Sequence, residues 1–366
     1  MTNDTATLTK SPALARGFSH APDAVAGAVH LVPQGLAARG RPVTAWEVIV
    51  RDAPDAFTTT DVARADLMAW ARDGGETLAA HVKRRLATVE GLRPPFAGLT
   101  MDRPRIMGIL NATPDSFSDG GRHFAAEDAV RSGLAMLDAG ADILDVGGES
   151  TRPGSDPVAP DEEIRRVVPV IRALAEKGAR VSIDTRQPAV MEAAVAAGAA
   201  IINDITALTQ DASSLSTAAR LGVPVILMHM QGQPKTMQAA PLYGFAPTDI
   251  FAWLEQRVEA CLAAGIARAD ICVDPGLGFG KTTAHNAQIL KRLGLFHGLG
   301  CPVLLGISRK SFIAAVSRGE PVSSRLPGSL AAAVLGAGQG VQILRVHDVA
   351  ETAQALAVTQ AVETVS

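Results

Sequence analysis

From Arg105 onward one arrangement recurs eight times: a short apolar run, often rich in Val or Ile, closes on a polar residue and gives way to a longer stretch. The runs are 106–111 (IMGILN), 142–148 (DILDVGG), 181–185 (VSIDT), 201–205 (IINDI), 224–229 (PVILMH), 271–276 (ICVDPG), 302–308 (PVLLGIS) and 341–348 (VQILRVHD). None has the alternation of a strand with one face in water, so each is expected to be a β-strand buried on both faces. The stretches between them, such as 125–140 (AAEDAVRSGLAMLDAG) and 161–178 (DEEIRRVVPVIRALAEKG), are long enough for helices. Gly140, Gly178, Gly198, Gly222 and Gly265 close such stretches just before the next run, where a left-handed backbone is wanted.

Eight successive βα units over about 260 residues imply a (β/α)8 barrel, close to the usual size of that fold. The competing doubly wound sheet lacks its usual sign, because Asn111-Ala112-Thr113-Pro114-Asp115 stands where GxGxxG would follow the first strand. Residues 104–366 are assigned to the barrel. Residues 1–103 form an N-terminal extension of different texture, Ala-rich and partly helical, with helical patterns at 58–74 and 75–91 and an extended linker at 93–105. Its expected role is packing against the barrel or between subunits.

Apolar residues make up 47% of the chain, enough for a large core. The net charge of −3 and the lack of a basic block give no support to nucleic-acid binding. Cys261, Cys272 and Cys301 are scattered and odd in number, as in reduced, buried cysteines. The first twenty residues lack the apolar segment of a signal peptide, and no apolar run approaches the roughly 20 residues needed to span a bilayer. A cytoplasmic enzyme is therefore expected.

In a barrel the C-terminal ends of all eight strands share one face. Here those ends carry Asn111, Glu149, Asp184, Asn203, His229, Asp274, Ser308 to Ser311, and Arg345 with His347. Burying a polar group without a partner costs about 1–3 kcal/mol, so a polar group at every strand end points to a ligand site. Asp184, Asn203 and Asp274 suit a flat, nitrogen-rich heterocycle, since carboxylates accept from N–H groups and an amide both gives and accepts. Lys310 and Arg345 stand at strands seven and eight, the corner where barrels often bind phosphate. The planar guanidinium of Arg345 can also stack on a ring. The expected ligand is a polar heterocycle with an anionic tail. His229 is left outside the site as a structural histidine. The segment 278–283 (GFGKTT) is not a P-loop, because Pro275 occupies the position of the first required glycine. Trp46, Trp70 and Trp253 are expected to be packing residues.

The segments ILNATPDSFSDGG (109–121), DVGGESTRPGSDPV (145–158), SIDT (182–185), INDI (202–205), LMHMQGQPKTMQ (227–238), DPGLGFGK (274–281), GISRKSF (306–312) and RVHDV (345–349) together resemble the dihydropteroate synthase family of pterin-binding barrels. The resemblance runs from about Arg105 to the C-terminus and keeps the family's order. It implies a transferase of folate biosynthesis that joins 6-hydroxymethyl-7,8-dihydropterin diphosphate to p-aminobenzoate and releases pyrophosphate, by an SN1-like path. It implies that Asp184, Asn203, Asp274 and Lys310 bind the pterin, with Ile205, Met228 and Phe279 packed around it. Arg345 would stack on the pterin and reach the diphosphate, and His347 and Asn111 would complete the diphosphate site, with Asn111 touching Mg2+. Thr151, Arg152, Pro153, Lys310 and Ser311 would shape the p-aminobenzoate pocket. Asp119, Asp184, Lys310 and Arg345 are the expected catalytic residues, Asp119 and Arg152 lying on two loops that close over the reaction. A homodimer and competition by sulfonamides are implied as well.

Two departures concern loop detail: Arg186-Gln187-Pro188 follows SIDT where relatives commonly have an aromatic or aliphatic residue and then Lys, and His123 stands where Tyr or Phe is commoner. A methyltetrahydrofolate-type methyltransferase would share the barrel and the ring-binding acids but should lack the SRKS and RVHD corner. A non-catalytic pterin-binding regulator would bind without turnover.

Overall fold

The computed structural model describes residues 7–10, 28–35, 43–53, 55–112, 122–149, 157–233 and 235–364. Asp119, Thr151, Arg152 and Pro153 lie outside them.

The chain opens with a four-stranded sheet: β1 (Thr7–Lys10), β2 (Val29–Pro33), β3 (Ala45–Ala53) and β4 (Ala56–Ala63), in the order β1-β4-β3-β2. β2, β3 and β4 are antiparallel, and β1 runs parallel to β4. Two helices follow, α1 (Arg64–Asp73) and α2 (Glu76–Glu90). This sheet was not anticipated from the sequence. Successive side chains on β3 point to opposite faces. Trp46, Val48 and Val50 join Val29, Leu31, Leu67, Leu78, Val82 and Leu86 in a core between sheet and helices. The other face, through Val32, Ile49 and Phe57, is continuous with the barrel core at Phe245, Phe251, Leu295 and Phe296.

The barrel strands are β5 (Arg105–Asn111), β6 (Ile143–Gly147), β7 (Val181–Asp184), β8 (Ile201–Asp204), β9 (Val225–Met228), β10 (Ile271–Asp274), β11 (Leu304–Leu305) and β12 (Ile343–Val346). All eight are parallel, in the order β10-β9-β8-β7-β6-β5-β12-β11. A bridge between Val273 and Val303 closes the ring, with Val273 N donating to Pro302 O at 2.9 Å. The helices are α3 (Arg122–Asp138), α4 (Pro160–Glu176), α5 (Pro188–Ala196), α6 (Ser214–Leu221), α7 (Ala246–Ala263), α8 (Thr283–Lys291), α9 (Ser311–Ala315), α10 (Leu326–Gly338) and α11 (Val349–Thr364). In α4, Pro160 and the acids Asp161, Glu162 and Glu163 sit in the first turn, where a missing N–H is harmless and the helix dipole favours negative charge. Its buried face is Val167, Val170, Ile171 and Leu174, the i, i+3, i+4, i+7 spacing of one stripe. The helix-closing glycines 140, 178, 198, 222 and 265 all have positive φ, as expected.

Phe96 and Met101 in the linker plug the lower end of the barrel against Met107, Ile143, Ile201, Ile226, Cys272, Leu304 and Ile343. The three cysteines are free and buried. Among the described residues, no helix is long and apolar enough to cross a membrane.

Charged side chains from the extension reach into the barrel. Glu47 of β3 accepts from Arg292 Nε at 2.9 Å and Nη2 at 2.7 Å, with both residues buried. Arg85 of α2 donates to Gly298 O at 2.8 Å and to Glu255 of α7 at 2.6 Å, and lies over the Phe251 ring. Arg93 donates to His297 O at 2.8 Å, and Arg51 pairs with Asp249 of α7. Removing one partner of a buried pair leaves the other charge stranded. Glu47→Ala should therefore cost about 3–5 kcal/mol, while Glu47→Leu with Arg292→Leu should recover much of the loss. Urea unfolding of the full chain measures both; an unshifted midpoint in Glu47→Ala would show that the contact contributes little.

Candidate active site

The strand register places the polar ends at one level. Asn111 pairs with Gly147, Gly147 with Asp184, and Asp184 with Asn203. Arg345 lies across the barrel on β12, and Asp274 ends β10.

Arg345 binds two acids at once. Its Nε donates to Asp145 Oδ2 at 2.6 Å and its Nη2 to Asp184 Oδ2 at 2.7 Å. Asn203 Nδ2 donates to the same Asp145 oxygen at 3.1 Å. Asp145 is fully buried. Burial disfavours the charge on Arg345, but Asp145 and Asp184 outweigh it and hold the guanidinium pKa above its ordinary value. Burial pushes the Asp184 carboxyl up; Arg345 opposes the rise and Asp145 adds to it. Asp145 Oδ1 and Asp184 Oδ1 are buried without a hydrogen-bond partner. A ring bearing N–H donors could satisfy such oxygens.

Lys310 stands beside this group. It donates to Leu277 O, and its Nζ lies 4.4 Å from the centroid of the Phe279 ring. Burial lowers its pKa to about 8, with Asp274 opposing the fall and Arg345 adding to it. Asp274 Oδ1 accepts from Gly276 N at 2.7 Å. Burial raises the Asp274 pKa, and Lys310 opposes the rise. Gly306 leaves a gap among these groups. A Cβ there would sit 3.8 Å from Asp274 Oδ2 and 4.0 Å from both Lys310 Nζ and Arg345 Cβ. Asp184, Asn203, Asp274, Lys310 and Arg345 thus meet around one cleft.

The remaining expected residues are placed as follows. Ile205 and Met228 are buried, Phe279 and Asn111 are half-buried, and Ser311 is exposed as the first residue of α9. His347 is fixed through Ser308, whose hydroxyl lies 3.1 Å from Nδ1 and accepts from the His347 backbone N–H at 3.2 Å. Glu149, also at a strand end, is held by Arg186 at 2.8 Å and by the Val158 N–H at 3.0 Å.

His229 has a structural environment. It is buried against the edge of Trp253, and burial together with Lys281 lowers its pKa well below the usual value. Lys281 Nζ lies 3.0 Å from His229 Nδ1 and donates to Phe279 O at 2.9 Å. Burial likewise pushes the Lys281 pKa well down. Gly276 lets this loop press on the 229–231 segment. Its φ is +67°, and a Cβ there would lie 2.0 Å from His229 O. Gly276 and Gly280 of DPGLGFGK therefore serve a close backbone approach, a Cβ on Gly280 lying 2.4 Å from Gln231 O.

The sequence reading missed Asp145 and Lys281. The signal for Asp145 was an acid in the middle of an otherwise apolar strand, ILDVG, two residues below the rim where the polar ends were sought. Lys281 lay inside a segment considered only as a nucleotide loop.

Fold and cleft together define a (β/α)8-barrel enzyme whose rim gathers hydrogen-bonding acids, an amide and two cations. Residues 107–347 match the family described as pterin binding enzyme, and the chain belongs to that family. Its curated relatives include the dihydropteroate synthases of Escherichia coli K12, 48% identical over 72% of this chain and 93% of that protein, and of Bacillus subtilis, 42% identical over 71% and 89%. Among solved structures, it is similar to the Xanthomonas albilineans dihydropteroate synthase with 4-aminobenzoic acid, with a TM-score of 0.69, 50% identity and coverage of 74% of this chain and 97% of that one. The same enzyme in complex with 7,8-dihydropteroate matches with a TM-score of 0.66 and 45% identity, over 74% of this chain and 98% of that one.

Two outcomes follow from the geometry. Gly306→Val puts a branched side chain into the cleft at a position without backbone strain. Overpacking of about 1–3 kcal/mol should weaken dihydropterin binding by about tenfold or more in calorimetry, with an unchanged circular dichroism spectrum. The Lys310 cation is present below its pKa and lost above it. Affinity for an anionic ligand should therefore fall as pH rises through about 8. Lys310→Arg, which stays charged, should remove that limb of the binding profile.

Proposed function

We propose that this chain condenses 6-hydroxymethyl-7,8-dihydropterin diphosphate with p-aminobenzoate to give 7,8-dihydropteroate and pyrophosphate, a transferase step in folate synthesis. The observation that carries the reading is the convergence of Asp184, Asn203, Asp274, Lys310 and Arg345 on one cleft. The identity to dihydropteroate synthases over most of the chain supports it.

In this reading Asp184, Asn203 and Asp274 meet the N–H and amino groups of the pterin. Ile205, Met228 and Phe279 pack beside its faces, and Lys310 lies at its edge. The C–O bond between the pterin methylene and the diphosphate breaks with its electron pair leaving on oxygen. The electron-rich dihydropterin stabilises the resulting cation. Asp145, Asp184 and Asp274 outnumber the cations Lys310 and Arg345 at this end of the cleft, and such a field favours positive charge. Arg345 and His347 face the diphosphate. The lone pair of the arylamine nitrogen then forms the C–N bond, and the anilinium so formed, a strong acid, passes its proton to the released pyrophosphate or to water. An arylamine is largely unprotonated at neutral pH, so a strong general base is unnecessary. Asp119, Thr151, Arg152, Pro153 and Ser311 keep the roles that the resemblance gives them, around the reacting carbon and the p-aminobenzoate. Sulfonamides, which mimic p-aminobenzoate, compete for that pocket.

Among the described residues, no group of three or more His, Cys, Asp or Glu side chains could hold a metal ion. Mg2+ takes oxygen ligands and is often bound together with substrate phosphates, and the amide of Asn111 at the end of β5 offers such an oxygen. Asn111 would hold it through its amide oxygen, with the diphosphate. When bound, the ion would neutralise charge on the leaving group. We further assign a cytoplasmic location, in keeping with the free cysteines. We also assign a homodimer, in keeping with exposed Leu335 on α10 and exposed Val358 and Val362 on α11.

Mixing the protein with the pterin diphosphate, p-aminobenzoate and Mg2+ should release pyrophosphate stoichiometrically with dihydropteroate, and only when both substrates are present. Binding without release would indicate a non-catalytic pterin binder, and methyl transfer from a methylated pterin would indicate the methyltransferase reading.

A further inference from the structure

Asp145 has no role in the reading above beyond its charge, yet it is the best-connected acid of the cleft. It is fully buried at the centre of β6, level with Ser182 on β7, and therefore lies below the plane of Asp184 and Asn203. Its Oδ2 accepts from Arg345 Nε at 2.6 Å and from Asn203 Nδ2 at 3.1 Å. Both donors belong to residues assigned to the substrate.

We propose that Asp145 is a positioning residue that fixes Arg345 and Asn203 together, and that it is the pivot on which Arg345 stays in place when pterin engages Asp184. The proposal rests on the pterin diphosphate reading. Arg345 is shared, with Nε on Asp145 and Nη2 on Asp184. Asp184 is also an expected ring acceptor: its unpartnered Oδ1 is open to the ring, and a donor there draws charge from the Oδ2 that holds Arg345. A guanidinium held only by Asp184 would then be held less firmly. The separate bond from Nε to Asp145 keeps one edge of the planar group fixed, while Nη2 can be released toward the diphosphate. Charge-assisted bonds of this kind are roughly twice as strong as neutral ones.

The same carboxylate sets the polarity of Asn203. A carboxylate only accepts, so it takes an amide N–H of Asn203 and turns the amide oxygen away from itself. Asn203 then presents an acceptor, and the ligand must place a donor against it. Asp145 thus converts a side chain that could bind either way into one that selects N–H or amino edges.

Asp145→Asn in the full chain is the first test. Asparagine keeps the shape but loses the charge, and its own amide allows Asn203 to turn over. Loss of a charged hydrogen bond should lower kcat/KM for the pterin diphosphate by about 10- to 100-fold. KM for p-aminobenzoate should stay within about twofold, because neither partner of Asp145 faces that substrate. Equal losses for both substrates would overturn the assignment in favour of a general structural role. Arg345→Lys is the second test; it keeps a positive charge beside the two buried acids. A lysine has one point charge and cannot span both acids, so kcat should fall to a similar degree. Combining it with Asp145→Asn should add little further loss if both act through one unit. Wild-type kcat in Arg345→Lys, or fully additive losses in the double variant, would also overturn the proposal. If the unmodified protein itself releases no pyrophosphate, the function assigned above fails. If it turns over normally and the variants match it, only the pivot fails.

Discussion

A guanidinium shared between two buried carboxylates organises this molecule's cleft. An apolar ring of parallel strands cannot accommodate an isolated charge, and removing one member of a buried ion group strands the others. Arg345, Asp145 and Asp184 meet that demand together, drawn from β12, β6 and β7. Asn203 joins through the same Asp145 oxygen. The arrangement resembles solvent frozen in one orientation: charges and dipoles are aimed before a ligand arrives, and little reorganisation remains. One oxygen each of Asp145 and Asp184 stays buried without a hydrogen-bond partner and is open to a donor.

The cation side is built differently. Lys310 is held by the carbonyl of Leu277 and lies against the Phe279 ring, within reach of the Asp274 field. The loop that carries these contacts is pinned from below by Lys281, which lies against His229 and donates to the Phe279 carbonyl. A buried amine with a lowered pKa is here a structural clamp, because its contacts are to loop carbonyls and an imidazole.

The N-terminal sheet backs the same side of the barrel. Trp253 of α7 packs its edge contact on His229, and α7 is held by the extension through Arg51 to Asp249 and Arg85 to Glu255. A continuous packed path therefore runs from the extension through α7 to the loop beneath Asp274. The relatives' similarity covers 72% of the chain and the matched family segment begins at residue 107, so this support belongs to the part outside the shared barrel.

The eight strands, the glycines that end the helices and the polar rim were all legible in the linear chain. Each depends on local constraints: a doubly buried strand must be apolar along its length, a helix ending in a left-handed turn favours glycine, and a polar residue stands at or beside the end of every apolar run. The N-terminal sheet was not legible. The alternate positions His30, Glu47 and Arg51 carry polar groups that face the barrel, so the pattern of a water-exposed sheet never forms. Asp145 was hidden for a related reason. Its chain neighbours mark it only as an acid in an apolar strand, and its partners lie 58 and 200 residues away. Local periodicity records which face of an element is buried, whereas the identity of the partner across a long chain separation exists only once the ring has closed.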